Sequence, residues 1–206
     1  MTHYGMAIDL SRCIGCHTCA IACKMANNLP KNVLFNRART VGGDGMDTAS
    51  GEYGANTMSF LPMQCQHCEN PACLDVCPTG ATAKDEETGI VSVDSELCIG
   101  CESCIKACPY EGVRTLIKSP EYYLDVVVGE YDAPPHKGGT VEKCDFCAGR
   151  IDRGEKPACM ELCPGRARYW GDLDDPESEV SQFLSGRNAT VLLEEEGTSP
   201  SVYYVS

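Results

Sequence analysis

RCIGCHTCAIAC, residues 12–23, sets Cys13, Cys16, Cys19 and Cys23 at C-x2-C-x2-C-x3-C spacing. Three sulfurs so spaced crowd around one point on a tight turn. The fourth lies one helical turn on and points elsewhere. The theme returns in QCQHCENPACLDVCPTGA (Cys65, Cys68, Cys73, Cys77), in LCIGCESCIKACPYEG (Cys98, Cys101, Cys104, Cys108) and in KCDFCAGRIDRGEKPACMELCPGRA (Cys144, Cys147, Cys159, Cys163). All sixteen cysteines fall into these four sets of four.

Four chemistries could use this sulfur. Disulfides need Cα atoms roughly 4.4–6.8 Å apart with correctly aimed Cβ atoms, which cysteines two residues apart at the start of a helix serve poorly. Structural zinc draws two ligands from one C-x2-C knuckle and two from a distant one, whereas the first and third groups crowd a third cysteine into the same turn. Cys13-Ile14-Gly15-Cys16-His17 spells the haem-attachment signature C-x-x-C-H, but the parallel CIGCE at 98–102 has no histidine. His17 then reads as a solvent-facing residue between ligands. Cubane iron–sulfur clusters fit best, since C-x2-C-x2-C-x3-C-P is the bacterial ferredoxin set, whose fourth cysteine ligates the neighbouring cluster. Proline follows Cys77, Cys108 and Cys163, while Lys24 follows Cys23. Sixteen ligands at four per cluster predict four [4Fe–4S] clusters.

Internal similarity suggests how the groups pair. AIDLSRCIGCHTCAIAC (7–23) matches SVDSELCIGCESCIKAC (92–108), and PACLDVCPTGA (71–81) matches PACMELCPGRA (157–167), so two types of group alternate. Groups two and three make one natural unit, residues 62–112, inserted between the halves of a unit made by groups one and four, residues 1–30 plus 138–175. The expected ligand sets are Cys13, Cys16, Cys19 and Cys163; Cys144, Cys147, Cys159 and Cys23; Cys98, Cys101, Cys104 and Cys77; and Cys65, Cys68, Cys73 and Cys108. Pairing one with two and three with four is the rival arrangement.

The expected fold is α+β, with tandem, nested bacterial ferredoxin-like units carrying loop insertions and a C-terminal tail. Short strands at Met6–Leu10 and Ile90–Val93 should lead into cluster loops. One-turn helices near Ala20–Ala22, Leu74–Val76, Ile105–Ala107 and Met160–Leu162 should follow, with Arg168–Gly171 returning to pair with Met6–Leu10. Residues 31–61 and 113–137 are connecting insertions, the first holding a Gly-rich surface loop at 42–54 and the second beginning strand-like at Tyr122. Residues 176–206 should form a helix starting at Pro176, by its favoured first-turn position, then a short strand and an extended arm.

With 17 Lys and Arg against 30 Asp and Glu, the formal net charge is −13. That argues against nucleic acid, whose binding rests on neutralising phosphates. Four Phe and one Trp make a large conventional core doubtful. No basic start and apolar run of a signal peptide is visible, and apolar runs such as Val126–Val128 are too short to cross a bilayer, so no direct membrane insertion is expected. No nucleophile–base set, phosphate loop or flavin fingerprint appears. Four saturated clusters read as a wire, with the substrate chemistry placed in a partner. Arg12, Lys24, Lys106, Lys143 and Arg166, with Arg150 and Arg168, lie near ligands in sequence and are candidates to offset cluster charge and raise potentials, which span about −700 to +450 mV with charge, hydrogen bonding and exposure.

The four groups in this order, with the eleven-residue gap between Cys147 and Cys159, resemble the iron–sulfur subunit of the dimethyl sulfoxide reductase family of molybdopterin oxidoreductases over roughly residues 3 to 175. Some relatives replace one ligand of the third group and carry a three-iron centre. The intact Cys98, Cys101, Cys104 and Cys108 imply four [4Fe–4S] clusters here. The resemblance implies a non-catalytic electron-transfer subunit beside a molybdenum or tungsten bis-pterin catalytic subunit. It also implies a quinol-oxidising membrane anchor or another electron donor. Such complexes are exported with a partner bearing a twin-arginine signal, or stay cytoplasmic. A free-standing polyferredoxin, or a carrier linked to hydrogenase or formate dehydrogenase, is the alternative.

Overall fold

The computed structural model describes residues 2–131, 133 and 135–206. Met1, Asp132 and Pro134, which fall within the expected outer unit and second insertion, lie outside the described residues. The first strand, β1 (Tyr4–Asp9), is buried from Gly5 to Ile8, as an apolar run flanked by strands on both edges must be. Asp9 caps the short 3-10 turn Leu10–Arg12, accepting from the Ser11 N–H at 3.0 Å, and delivers the chain to the first cysteine loop. Then come α1 (Thr18–Ala26) and the antiparallel pair β2 (Asn36–Val41) and β3 (Ser59–Gln64), joined by the Gly-rich loop.

The next stretch holds α2 (Ala72–Asp75), β4 (Thr82–Lys84), β5 (Val91–Val93) and α3 (Ser103–Ala107). After it, β6 (Arg114–Ile117) pairs antiparallel with β7 (Thr140–Lys143). The chain continues through α4 (Ala148–Asp152), α5 (Ala158–Glu161), β8 (Arg168–Asp172), α6 (Glu179–Leu184), β9 (Ala189–Thr190) and β10 (Val202–Val205).

The repeat read from the sequence is visible in the strand pairing. β1 precedes the first group and pairs antiparallel with β8, which follows the fourth; Met6 faces Trp170. β5 precedes the third group and pairs antiparallel with β4, which follows the second; Lys84 faces Val91. In each case the helices between the strands pack together, α1 on α5 and α2 on α3. The elements are short because the cysteine loops interrupt them, and the main core reflects this. Met6, Ile8, Phe146, Trp170 and Val202 share it with Cys23, Cys65, Cys144 and Cys159.

Several expectations are corrected. The C-terminal residues are no arm: β10 lies inside the sheet, in the order β8-β1-β10-β9, and runs parallel to β1 with Val202 opposite Met6. Its apolar residues cover an edge that would otherwise expose unpaired backbone. That partner lies almost the whole chain away, so no local signal announces the pairing. α6 starts at Glu179 rather than Pro176, because the Ser178 hydroxyl accepts from the Ser181 N–H at 3.2 Å and fixes the N-cap there. Residues 122–128 form no strand; Tyr123, Val126 and Val127 are exposed, and β-branched residues without a neighbouring ladder do not make one. α1 runs nine residues rather than one turn.

Candidate metal centres

The two CIGC turns are built alike. Gly15 and Gly100 both have φ of +66°, and a Cβ on either would meet the Phe60 ring or the Gly139 carbonyl at 2.3 Å. His17 and Glu102 hold the equivalent left-handed position immediately before α1 and α3. This turn follows the first two cysteines and launches the helix carrying the later ones. The other two loops are also alike: His67 and Phe146 occupy equivalent sites with positive φ, and Pro71 and Pro157 open α2 and α5.

These elements bring cysteines distant in sequence together. Cys23 lies among Cys144, Cys147 and Cys159. Cys13, Cys16, Cys19 and Cys163 line one small cavity. Cys108 neighbours Cys65 and Cys73, as does Cys68, and Cys101 neighbours Cys77. Between these sets, Cys19 approaches Cys159 and Cys65 approaches Cys144. Group one thus meets group four, and group two meets group three. All sixteen thiols are free, and only Cys16 and Cys101, the second cysteine of each CIGC, are exposed.

Burial and the neighbouring sulfurs push the Cys23 and Cys144 thiols well above their ordinary range. Burial lifts Cys68 to about 11 and Cys108 and Cys147 to about 12. Cys77 goes the other way: its slight burial is outweighed by main-chain donors led by the Thr82 N–H, bringing it to about 7. Metal binding must therefore displace protons from most of the buried thiols.

The surroundings of these sulfurs fit an anionic, acceptor-rich group. Main-chain N–H groups donate to Cys77, Cys98, Cys144 and Cys163 at 3.3–3.4 Å. Arg114 Nη2 reaches Cys73 Sγ at 2.7 Å, Arg168 Nη1 reaches Cys159 Sγ at 3.8 Å, and Asn27 Nδ2 reaches Cys23 Sγ at 3.6 Å. Three buried donors, Asn36 Nδ2, His67 Nε2 and Arg114 Nη1, make no full hydrogen bond with the protein, though Asn36 approaches Cys159 and His67 approaches the backbone of Cys144. Arg114, Lys143 and Arg168 are all buried, and among the described residues none is in a salt bridge with a carboxylate. A buried charge without a counter-charge costs several kcal/mol, so something negative is required beside each. Thiolate-ligated cubanes, each roughly −2 when oxidised, supply it. Among the described residues no three His, Cys, Asp or Glu side chains converge as a single metal ion needs; a cubane is held by a wider cage.

The candidate tuning residues divide. Lys143 is buried, its ammonium on the carbonyls of Val91 and of Cys144, the latter at 2.8 Å. Lys24 points at the Leu29 and Pro30 carbonyls at 3.1 and 2.6 Å, closing the turn after α1. Arg12 lines the cavity of Cys13 but donates to Tyr169. Lys106 and Arg166 are exposed, and Arg150 joins Glu130 and Glu161 in ion pairs. His17, half-buried, bonds Asp47 at 3.1 Å. Arg114, Asn27, Asn36 and His67 were missed. Arg114 had a readable signal, since CPYEGVR (108–114) and CPGRAR (163–168) each place an arginine at the start of the strand leaving a cysteine–proline pair.

The family described as the 4Fe-4S dicluster domain matches residues 56–121 and 131–173, and a second family of the same description matches residues 12–81. A Halobacterium salinarum protein named for the iron-sulfur subunit of dimethyl sulfoxide reductase is 43% identical over 100% of the chain and 80% of its own length. A selenate reductase subunit of Mesobacillus selenatarsenatis is 37% identical, covering 98% of the chain and 71% of itself. The arsenate respiratory reductase iron-sulfur subunit of a Shewanella species is 34% identical over 98% of the chain and 95% of itself.

Proposed function

Because the chain belongs to the iron–sulfur subunits of the dimethyl sulfoxide reductase family, built on 4Fe-4S dicluster domains, we propose that it relays electrons through four [4Fe–4S] clusters held by the sets Cys13/Cys16/Cys19/Cys163, Cys144/Cys147/Cys159/Cys23, Cys65/Cys68/Cys73/Cys108 and Cys98/Cys101/Cys104/Cys77. The clusters supply reversible one-electron chemistry when bound. The chain's own residues hold them in series, exclude water from the inner ones and set their charge balance. The observation that carries this reading is the convergence of cysteines distant in sequence around buried cations, Arg114, Lys143 and Arg168, that no carboxylate among the described residues neutralises.

Nesting of residues 62–112 within a unit of 1–30 plus 138–175 is supported by the pairing of β1 with β8 and of β4 with β5. The exposed Cys16 and Cys101 favour the two outermost clusters as the points of electron entry and exit. A catalytic partner of the molybdenum or tungsten bis-pterin type would sit at one end. A quinol-oxidising membrane chain or another donor would sit at the other. Among the described residues no helix is long and apolar enough to cross a membrane, so membrane contact would be made through a partner. Export would follow a partner's twin-arginine signal.

Anaerobically purified chain should contain about sixteen iron and sixteen sulfide, four of each per cubane; zinc without sulfide would end the reading. A large molybdenum-containing chain should co-elute from native extracts, whereas a lone chain favours a free polyferredoxin. The ligand sets make a sharper prediction. Cys163→Ser should disturb the EPR signal of the cluster shared with Cys13, Cys16 and Cys19 while leaving the two clusters of residues 62–112 intact. A change confined to those two would reverse the pairing.

A further inference from the structure

The two halves meet at a pair of rings. His67, from the Cys65–Cys68 loop, stacks on Phe146, from the Cys144–Cys147 loop, with centroids 3.6 Å apart and planes 15° apart. Phe146 in turn meets Trp170 edge-on at 4.7 Å. His67 has no solvent exposure, and Phe146 almost none. Stacking alone would be satisfied by two phenylalanines, which is what the near-repeat of the two loops would give. An imidazole at one of these equivalent positions therefore needs its own explanation.

Its hydrogen bonds fix the state of the ring. Nδ1 faces the Val91 N–H at 3.1 Å. A main-chain N–H can only donate, so Nδ1 is the acceptor and the proton of the neutral ring sits on Nε2. With Nδ1 accepting and a single proton on Nε2, the ring is neutral. Nε2–H is buried and donates no full hydrogen bond to any protein atom, although it approaches the backbone carbonyl of Cys144. A buried donor left unmet costs about 1–3 kcal/mol, which is hard to reconcile with a residue so closely pinned unless an acceptor arrives with the cofactor. The site also sits where the two halves approach each other, Cys65 beside Cys144.

We propose that His67 is a fixed, neutral hydrogen-bond donor to one of the two inner clusters, raising its potential at the junction where electrons cross between the halves of the molecule. The proposal rests on the four-cluster reading above. A donor to cluster or thiolate sulfur favours the reduced, more negative state, so losing it makes reduction harder. His67 acts as a positioning and tuning residue and exchanges no proton during turnover.

The test is redox-poised EPR on anaerobically prepared full chain, with iron and sulfide counted first. His67→Phe keeps a ring against Phe146 and removes the donor. It should leave sixteen irons in place, shift the reduction equilibrium of one inner cluster at least tenfold, about 59 mV for a one-electron couple, and leave the two outer clusters unchanged. His67→Gln, which can donate again, should recover much of the shift. Unchanged potentials in His67→Phe would overturn the proposal and reduce His67 to packing. Should His67→Phe fail to assemble, nitrogen hyperfine coupling decides. Protein labelled with 15N-histidine, with the half-buried His17 changed to Gln, should show coupling between a histidine nitrogen and a reduced inner cluster; its absence overturns the proposal. Wild-type chain lacking iron would instead sink the four-cluster reading itself.

Discussion

Stripping the iron anaerobically with a chelator is expected to unfold most of the chain, not merely to bleach it. The helices run from four to nine residues, below the roughly 12–15 at which isolated helices become even marginal. β4 and β5 have three residues each. The main core counts four cysteines among its buried members, so loss of the clusters opens voids inside it. Charge makes matters worse. Arg114, Lys143 and Arg168 would remain buried with no carboxylate beside them among the described residues, each costing several kcal/mol. The buried thiols could not compensate at neutral pH. Burial raises Cys68 to about 11 and Cys108 and Cys147 to about 12, so these freed sulfurs take up protons and stay neutral until far above physiological pH, while Cys77, at about 7, is only slightly buried. Against a total stability of about 5–15 kcal/mol, that deficit is decisive.

Trp170, the single tryptophan, is a convenient reporter, buried between Tyr4 and Phe146. Its emission should rise and move to the red, and amide protection in β1, β8 and β10 should vanish with it. A metal-free chain that kept native protection and a cooperative thermal transition would show that the polypeptide, not its cofactors, carries the fold.

What the sequence made legible was what repeats or recurs locally. The ligands were marked by spacing, the CIGC turns by their glycine, and the β1–β8 return by the match between groups. The parts it hid are those whose cause lies far along the chain. β10 fills a slot beside β1 that no segment near Val202 advertises. Tyr122–Val128 has strand-like residues but no partner strand, and only tertiary structure could decide between those facts. At the sites, nearness in sequence proved a poor guide to nearness in space. Lys106 and Arg166 stand two and three residues from ligands yet are exposed. Arg114, six residues after Cys108, is buried against Cys73, forty-one residues away. Strand alternation decides which side chains face a cluster, and it can be applied only once the strand is known.

Replacing either buried arginine with methionine is expected to shift the potentials of one half of the molecule and spare the other. Arg168 is held by Gln64 Oε1 and Asn36 Oδ1 at 3.1 Å each, and its charge acts on Cys159 and Cys19. It thus stands between the two clusters assigned to the outer unit. Arg114 acts on Cys73, Cys65, Cys104 and Cys108, which places it between the two clusters of the inserted unit. Burial opposes the charge of both guanidiniums, and the surrounding sulfurs more than outweigh it. Each cation therefore favours the more negative, reduced state of both clusters it faces. A unit charge at about 5 Å in an effective dielectric near 20 is worth about 3 kcal/mol, which for a one-electron couple is on the order of 100 mV. Arg114→Met should lower the clusters of residues 62–112 by about that much, and Arg168→Met the other two. Both variants should also melt earlier, since breaking a buried pair costs about 3–5 kcal/mol, and in Arg168→Met the oxygens of Gln64 and Asn36 lose their donor as well. Lysine at either site keeps a charge but not the planar fork, so Arg168→Lys should restore part of the potential and little of the stability. Redox-poised EPR of the four signals, with iron content matched to wild type, measures the first effect, and thermal unfolding under anaerobic conditions the second. Because the two arginines act on separate pairs, the double variant should show the sum of the single shifts. Potentials that stayed put in the facing clusters, or moved in the opposite half, would mean that these cations balance charge for folding alone.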